Sequence, residues 1–439
     1  MHRTISIAVL ICSSIWATII SAQETEKEKG QRMQWFADAK LGIFIHWGIY
    51  AVNGIDESWS FYNGYISYSD YMKQLKGFTA ARYDPDAWAE LVRESGARYA
   101  VMTAKHHDGV ALWNTKLSDL NVVKKTPAGR DLIAPYCQAL RNRGLKVGLY
   151  FSHLDWSHAD YPFFIGKEKR YQDDPARWER FLAFRRGQLE ELAAAYQPDL
   201  IWFDGDWDFS AERWQAGALR EQIFRWLPST ILNSRLNGFG DYDTPEQGVP
   251  ITPPKSKYWE LCMTMNDSWG YQGNDRNYKT ANQIIRIFAD SISMGGNLLL
   301  DVGPKADGTI PEEQVRILKE LGRWTQKHQE AIYGTAAGIS PFYFRGPTTL
   351  SQDRQTLYLF LDSRPNGPIV IKGLKNKVNR VRVVGDGTKL SFGVLGRQYW
   401  SPVPGLLYVD VPAEVLDEQV TVIAVLLDGP IDLYREAEK

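Results

Sequence analysis

Seven short, almost wholly apolar runs recur along residues 30–340, and helical patterns separate them. The runs span residues 41–47, 99–105, 146–151, 200–204, 230–234, 258–263 and 297–302. Apolar runs of this length without alternation fit parallel strands covered on both faces. The intervening stretches carry helix starts. Asp84-Pro85 and Asp174-Pro175 each place an aspartate at the cap and a proline at the first helical position. Asp131 precedes a third helix, and residues 211–227, 279–293 and 311–330 carry three more. Strand–helix alternation over about 300 residues restricts the chain to an α/β barrel or a doubly wound sheet. No G-x-G-x-x-G follows the first strand and no G-x-x-x-x-G-K-S/T occurs, which argues against a nucleotide-binding sheet. An irregular (β/α)8-like barrel is therefore expected, with its chemistry at the C-terminal ends of the strands.

After residue 341 the pattern changes. Runs at 357–361, 369–371, 378–384, 407–411 and 420–427 are short and β-rich, with turns such as Pro365-Asn366-Gly367 and Gly385-Asp386-Gly387 between them. They predict an antiparallel β-sandwich. The expected organisation is a catalytic barrel over residues 23–340 and an accessory sandwich over 341–439.

Residues 1–22 have the pattern of a signal peptide: Arg3, an apolar run from Ile5 to Ile20, and Ser21-Ala22 at the cleavage point. The run is shorter than a membrane span needs. Export to the periplasm or the exterior, with no membrane insertion after cleavage, is the expectation. Cys137 and Cys262 then remain, in apolar contexts that suggest buried thiols rather than a disulfide framework. Lys+Arg 51 against Asp+Glu 52 leaves a net charge of -1, so no electrostatic case for nucleic acid exists.

Polar and aromatic groups collect at five successive strand ends: His46-Trp47, Lys105-His106-His107-Asp108, Tyr150-Phe151-Ser152-His153, Trp202-Phe203-Asp204-Gly205-Asp206-Trp207 and Asn233-Ser234-Arg235. A zinc hydrolase would need several His and acid ligands from different strands. The first strand lacks a His-x-His pair, and His328 in a late helix is the only histidine after His158, so no catalytic metal and no cofactor are expected. Two carboxylates in a polar cradle are glycosidase chemistry. Asp204, between Trp202 and Trp207, suits the nucleophile, with Arg235 one strand further on to pair with it. Glu246, Glu260 and Glu57 are the candidate proton donors, and the residues alone do not rank them. The chain holds 16 tryptophans, and eight of them (Trp47, Trp59, Trp113, Trp156, Trp202, Trp207, Trp259 and Trp269) fall near strand ends, where rings of this kind stack on sugars.

The blocks IHWG, KHHDG, GLYFSHLDW, IWFDGDW, TPEQ, WELCMTMNDSWGY and GGNLLLDVGPKADGTIP, in this order over residues 33–340, resemble the α-L-fucosidases of glycoside hydrolase family 29. The resemblance implies a barrel followed by a β-sandwich, and an exo-acting, retaining, metal-independent enzyme on fucosylated oligosaccharides or glycoconjugates. It implies Asp204 as nucleophile and Glu246 as acid/base, with Glu260 the second choice. His46, His106 and His107 match residues that bind the fucose hydroxyls. Tyr150, Trp202 and Arg235 match further site residues, and Trp269 an aromatic packed on the C6 methyl. Glu57 and Trp59 correspond to an adjacent Glu-Trp pair that Ser58 separates here. Two other readings stand beside this one: an α-L-galactosidase or related exo-glycosidase on the same scaffold, and a non-catalytic sugar-binding protein.

Overall fold

The computed structural model describes residues 24–166 and 168–435. The expected signal peptide lies outside the described residues. All seven apolar runs form strands: β1 Leu41–Ile45, β2 Tyr99–Lys105, β3 Lys146–Ser152, β4 Leu200–Asp204, β5 Ile231–Leu232, β6 Glu260–Thr264 and β7 Asn297–Val302. They make one parallel sheet in the order β5-β4-β3-β2-β1-β7-β6. Almost every residue in them is buried, because helices cover one face and side chains fill the other.

The curled sheet leaves a gap between β5 and β6, and residues 241–247 fill it. Tyr242 bridges in parallel to Asn233, Asp243 to Trp259, and Glu246 to Cys262. This segment is an irregular eighth stave. Gly240 makes the return possible, since a Cβ there would lie 2.0 Å from the Asn233 carbonyl oxygen. Asp241 pins the segment: its carboxylate accepts from the Leu232 amide at 2.9 Å, from Arg32 at 2.8 Å and from Arg220 at 2.9 Å. Arg32 belongs to a helix, Glu26–Ala39, that the residue pattern had not predicted. Thr25 and Glu28 cap it reciprocally, and it buries Met33 and Phe36 at the barrel floor.

Asp84 and Asp174 cap their helices as expected, accepting from the Ala87 and Arg177 amides at 3.0 Å. Each such cap contributes about 1 kcal/mol. The helix expected over 211–227 is two pieces, Ala211–Trp214 and Ala216–Trp226, broken where Gln215 is left-handed (φ 52°).

At the C-terminus, β8 Ala336–Ala337, β9 Thr348–Leu350, β10 Thr356–Leu361, β12 Val378–Val383 and β15 Thr421–Leu427 form an antiparallel sheet in the order β12-β15-β10-β9-β8. A second antiparallel sheet joins β11 Ile369–Ile371, β14 Leu406–Val409 and β13 Phe392–Leu395. The two share one core of Leu357, Leu359, Val381, Ile423 and Val425 against Ile371, Leu407 and Val409, which makes a sandwich. The opposite face of the larger sheet rests on the barrel, where Phe360 and Val422 join the barrel core and Trp324 donates to the Val420 carbonyl at 2.7 Å.

Candidate active site

Asp204 is the last residue of β4, and Gly205 (φ 83°) turns the chain away immediately after it. The carboxylate is fully engaged at the bottom of the strand-end cluster. Tyr150, from the neighbouring β3, donates its O–H to Oδ2 at 2.9 Å. Arg235 donates from one terminal nitrogen to Oδ1 at 2.8 Å.

The other terminal nitrogen of Arg235 donates to Glu246 Oε2 at 2.6 Å, and its Nε donates to Thr244 at 3.2 Å. The guanidinium also lies over the Trp202 ring, 4.6 Å from its centre. Burial works against its charge, but Asp204 and Glu246 more than offset that and hold it well above its ordinary value. The two carboxylates differ in setting. The Asp204 side chain is 12% exposed and that of Glu246 40%, so one sits deep and the other at the rim. Glu246 stands on the gap-filling stave after β5, paired with β6 through Cys262.

Three histidines share one arrangement. His46 Nδ1 meets Asp301 Oδ1, His106 Nδ1 meets the Ser58 hydroxyl, and His107 Nδ1 meets the Ser152 hydroxyl, each at 2.6 Å. Burial pushes all three well below the ordinary imidazole value, His107 to about 3. They are neutral rings. For His107 the tautomer follows from its partner. Ser152 spends its single proton on the Leu154 carbonyl at 2.9 Å, so it accepts from His107 Nδ1–H. His107 Nε2 is then a bare lone pair. It is buried, without a partner among the described residues, and 3.6 Å from Asp204 Oδ2. Such a group waits for a donor, and a sugar hydroxyl is one.

Trp269 faces His46 with ring centres 4.9 Å apart and meets Phe44 edge-on at 6.0 Å. The buried carboxylate of Glu57 accepts the Gly270 amide, next to Trp269, and burial raises it to about 7. Glu260 lies low in the barrel at the start of β6. Tyr99 O–H and Trp202 Nε1 donate to its two oxygens, the latter at 3.1 Å, and burial raises it to about 7. It holds Trp202 beneath Arg235. Trp59 packs edge-on to His107 and Trp156. Of the eight rim tryptophans, Trp47, Trp113, Trp156, Trp202 and Trp259 are buried in the core clusters. Cys137 and Cys262 are buried free thiols.

Residue-level reasoning had not named Asp301, Ser58 or Thr244 as site groups, and had placed Ser152 and His153 at a strand end without a role. His153 is neutral through burial and accepts from Arg185 at 3.5 Å on Nδ1, so Nε2–H donates to the Arg235 carbonyl at 3.2 Å. Its place at a strand end was the only signal. Asp301, at the end of the apolar β7 run, carried a similar one. Among the described residues, no group of three or more His, Cys, Asp or Glu side chains is placed to hold a metal ion. No described helix is long and apolar enough to cross a membrane.

Comparison with known proteins agrees with this geometry. The family model described as Alpha-L-fucosidase matches residues 11–330. The chain is 33% identical to the tissue alpha-L-fucosidase of Mus musculus, over 69% of this chain and 71% of that protein. Its structure is similar to that of alpha-L-fucosidase isoenzyme 1 from Paenibacillus thiaminolyticus, with TM-score 0.83, 36% identity and coverage of 91% and 99% of the two chains. It is also similar to a family 29 alpha-L-fucosidase from Bacteroides thetaiotaomicron trapped as a covalent intermediate with 2-fluoro-fucosyl fluoride, with TM-score 0.81, 27% identity and coverage of 91% and 96%.

Proposed function

The chain belongs to the α-L-fucosidases of glycoside hydrolase family 29, and on that premise we propose an exo-acting, retaining enzyme that removes terminal α-L-fucosyl residues from glycans. The observation that carries this reading is the single guanidinium of Arg235 joining a deep carboxylate, Asp204, to a rim carboxylate, Glu246. Retention needs two carboxyl groups close together, about 5–5.5 Å apart with substrate bound.

Asp204 attacks C1 from the face opposite the leaving group, and Glu246 protonates the leaving oxygen. The C1–O bond breaks as the bond to Asp204 forms. Glu246 then takes a proton from water, which attacks C1 and releases Asp204. The exposed position of Glu246 suits this exchange of leaving group for water. The trapped covalent intermediate of the Bacteroides relative supports the same two-step course. Neutral His46, His106 and His107 offer nitrogen to the sugar hydroxyls, and the Trp269 ring offers an apolar wall to the C6 methyl. A pocket built on buried hydrogen bonds rejects sugars that lack the matching hydroxyls. The leader-like residues 1–22 support export, which N-terminal sequencing of the secreted chain tests.

The kinetic test uses azide on an aryl α-L-fucoside. Asp204→Ala should lose nearly all activity and regain some as the inverted fucosyl azide. Glu246→Ala should spare substrates with good leaving groups and yield the azide with retained configuration. Absence of both products would overturn the assignment.

A further inference from the structure

One strand-end tryptophan lies outside both the core and the fucosyl pocket. Trp207, three residues after Asp204, is 52% exposed, and only Trp400 among the other described tryptophans is also exposed. Resting on the fucosidase reading above, the geometry points to Trp207 as a stacking platform for the sugar ring on the leaving-group side of the bond. Its ligand is a pyranose with a CH-rich face.

Three observations carry this. First, the ring is backed. Trp59 stacks behind it at 6.2 Å and an interplanar angle of 22°, and His107 meets it edge-on at 5.8 Å. One face of the indole is thereby supported at the pocket mouth, and its outer surface is left to solvent. Second, its loop is clamped on both sides. Asp206 Oδ2 accepts from the Asn237 amide at 2.7 Å, and the Asp206 carbonyl accepts from Asn237 Nδ2 at 3.1 Å. Asp208 accepts from Tyr161 O–H at 2.5 Å. An exposed tryptophan between two anchored neighbours is held in place before any ligand arrives, so little ordering entropy remains to be lost on binding. Third, the clamp runs to the loop that leads into the stave bearing Glu246. The platform and the proton donor therefore share one framework, and the leaving oxygen must pass close to that donor. Sugar CH faces and indole rings are complementary in size and apolarity.

The test separates the second ring from the first. α-L-Fucosyl fluoride has no leaving-group sugar, whereas a fucosyl-galactose and a fucosyl-N-acetylglucosamine disaccharide each have one. Trp207→Ala should leave kcat/KM on the fluoride within about twofold of wild type and lower it on at least one disaccharide by about tenfold. Trp207→Phe, which keeps a smaller ring, should recover part of that loss. Equal losses on fluoride and disaccharides would place Trp207 in the fucosyl pocket and overturn the platform, as would unchanged kinetics on all three substrates. Failure of the wild-type enzyme to turn over the fluoride would sink the fucosidase reading itself, a separate outcome.

Discussion

Asp204 and Glu246 are held by the two arms of one side chain, Arg235 reaching the first at 2.8 Å and the second at 2.6 Å. A lysine keeps the charge but cannot fork. Arg235→Lys should therefore break one contact and lower kcat/KM on an aryl α-L-fucoside about a hundredfold, since a hydrogen bond to a charged group contributes about 1.5–3 kcal/mol. A loss smaller than threefold would show that the bridge is dispensable.

Ser152 decides which nitrogen of His107 carries the proton. Ser152→Ala removes the acceptor for Nδ1–H, freeing the ring to take the other tautomer. The expected cost is about tenfold in kcat/KM, equivalent to one hydrogen bond. Imidazole NMR of the wild type should show His107 uncharged as pH falls from 6.5 toward about 3. Detection of a protonated His107 ring within that range would contradict the burial argument.

Glu57 makes an opposite pH prediction. Burial raises it from 4.5 to about 7, so the folded state holds a proton that the unfolded chain has released. Stability from this group is present below 4.5 and is lost as pH rises to about 7. Glu57→Gln removes that dependence and still accepts the Gly270 amide. The melting temperature of the variant should therefore gain on wild type across this window, measured by calorimetry. A constant difference would refute it.

Glu260 and Glu246 separate by leaving-group dependence. Both oxygens of Glu260 already accept hydrogen bonds, from Tyr99 and Trp202. Glu260→Gln should depress kcat by a similar factor for poor and good leaving groups and should not respond to azide. If it spares only activated substrates, Glu260 rather than Glu246 is the acid/base.

Trp269 is the expected discriminator between fucose and L-galactose. The two differ by a hydroxyl at C6. Trp269→Ala should lower kcat/KM on the fucoside by about 10–100-fold, the usual worth of a methyl-sized contact in an apolar pocket, and narrow the fucoside to L-galactoside ratio. An unchanged ratio would show that the methyl lies elsewhere.

Local sequence determined the strands, most helices and the rim identities of Asp204, Arg235 and the three histidines. Apolar runs, aspartate caps and strand-end polar groups act over a few residues, so no distant partner is needed to read them. Three things were settled only by tertiary structure. The eighth stave is one, because residues 241–247 carry no strand-like run, and Gly240, Arg32 and Asp241 place them from afar. The division of the tryptophans is another, since Trp47 and Trp207 each stand two or three residues after a strand, yet one is buried and the other exposed. The roles of the three candidate acids are the last. Glu57, Glu246 and Glu260 are the same residue type, and burial and partners alone set them apart: one on the Gly270 amide next to Trp269, one at the rim on Arg235, one beneath Trp202.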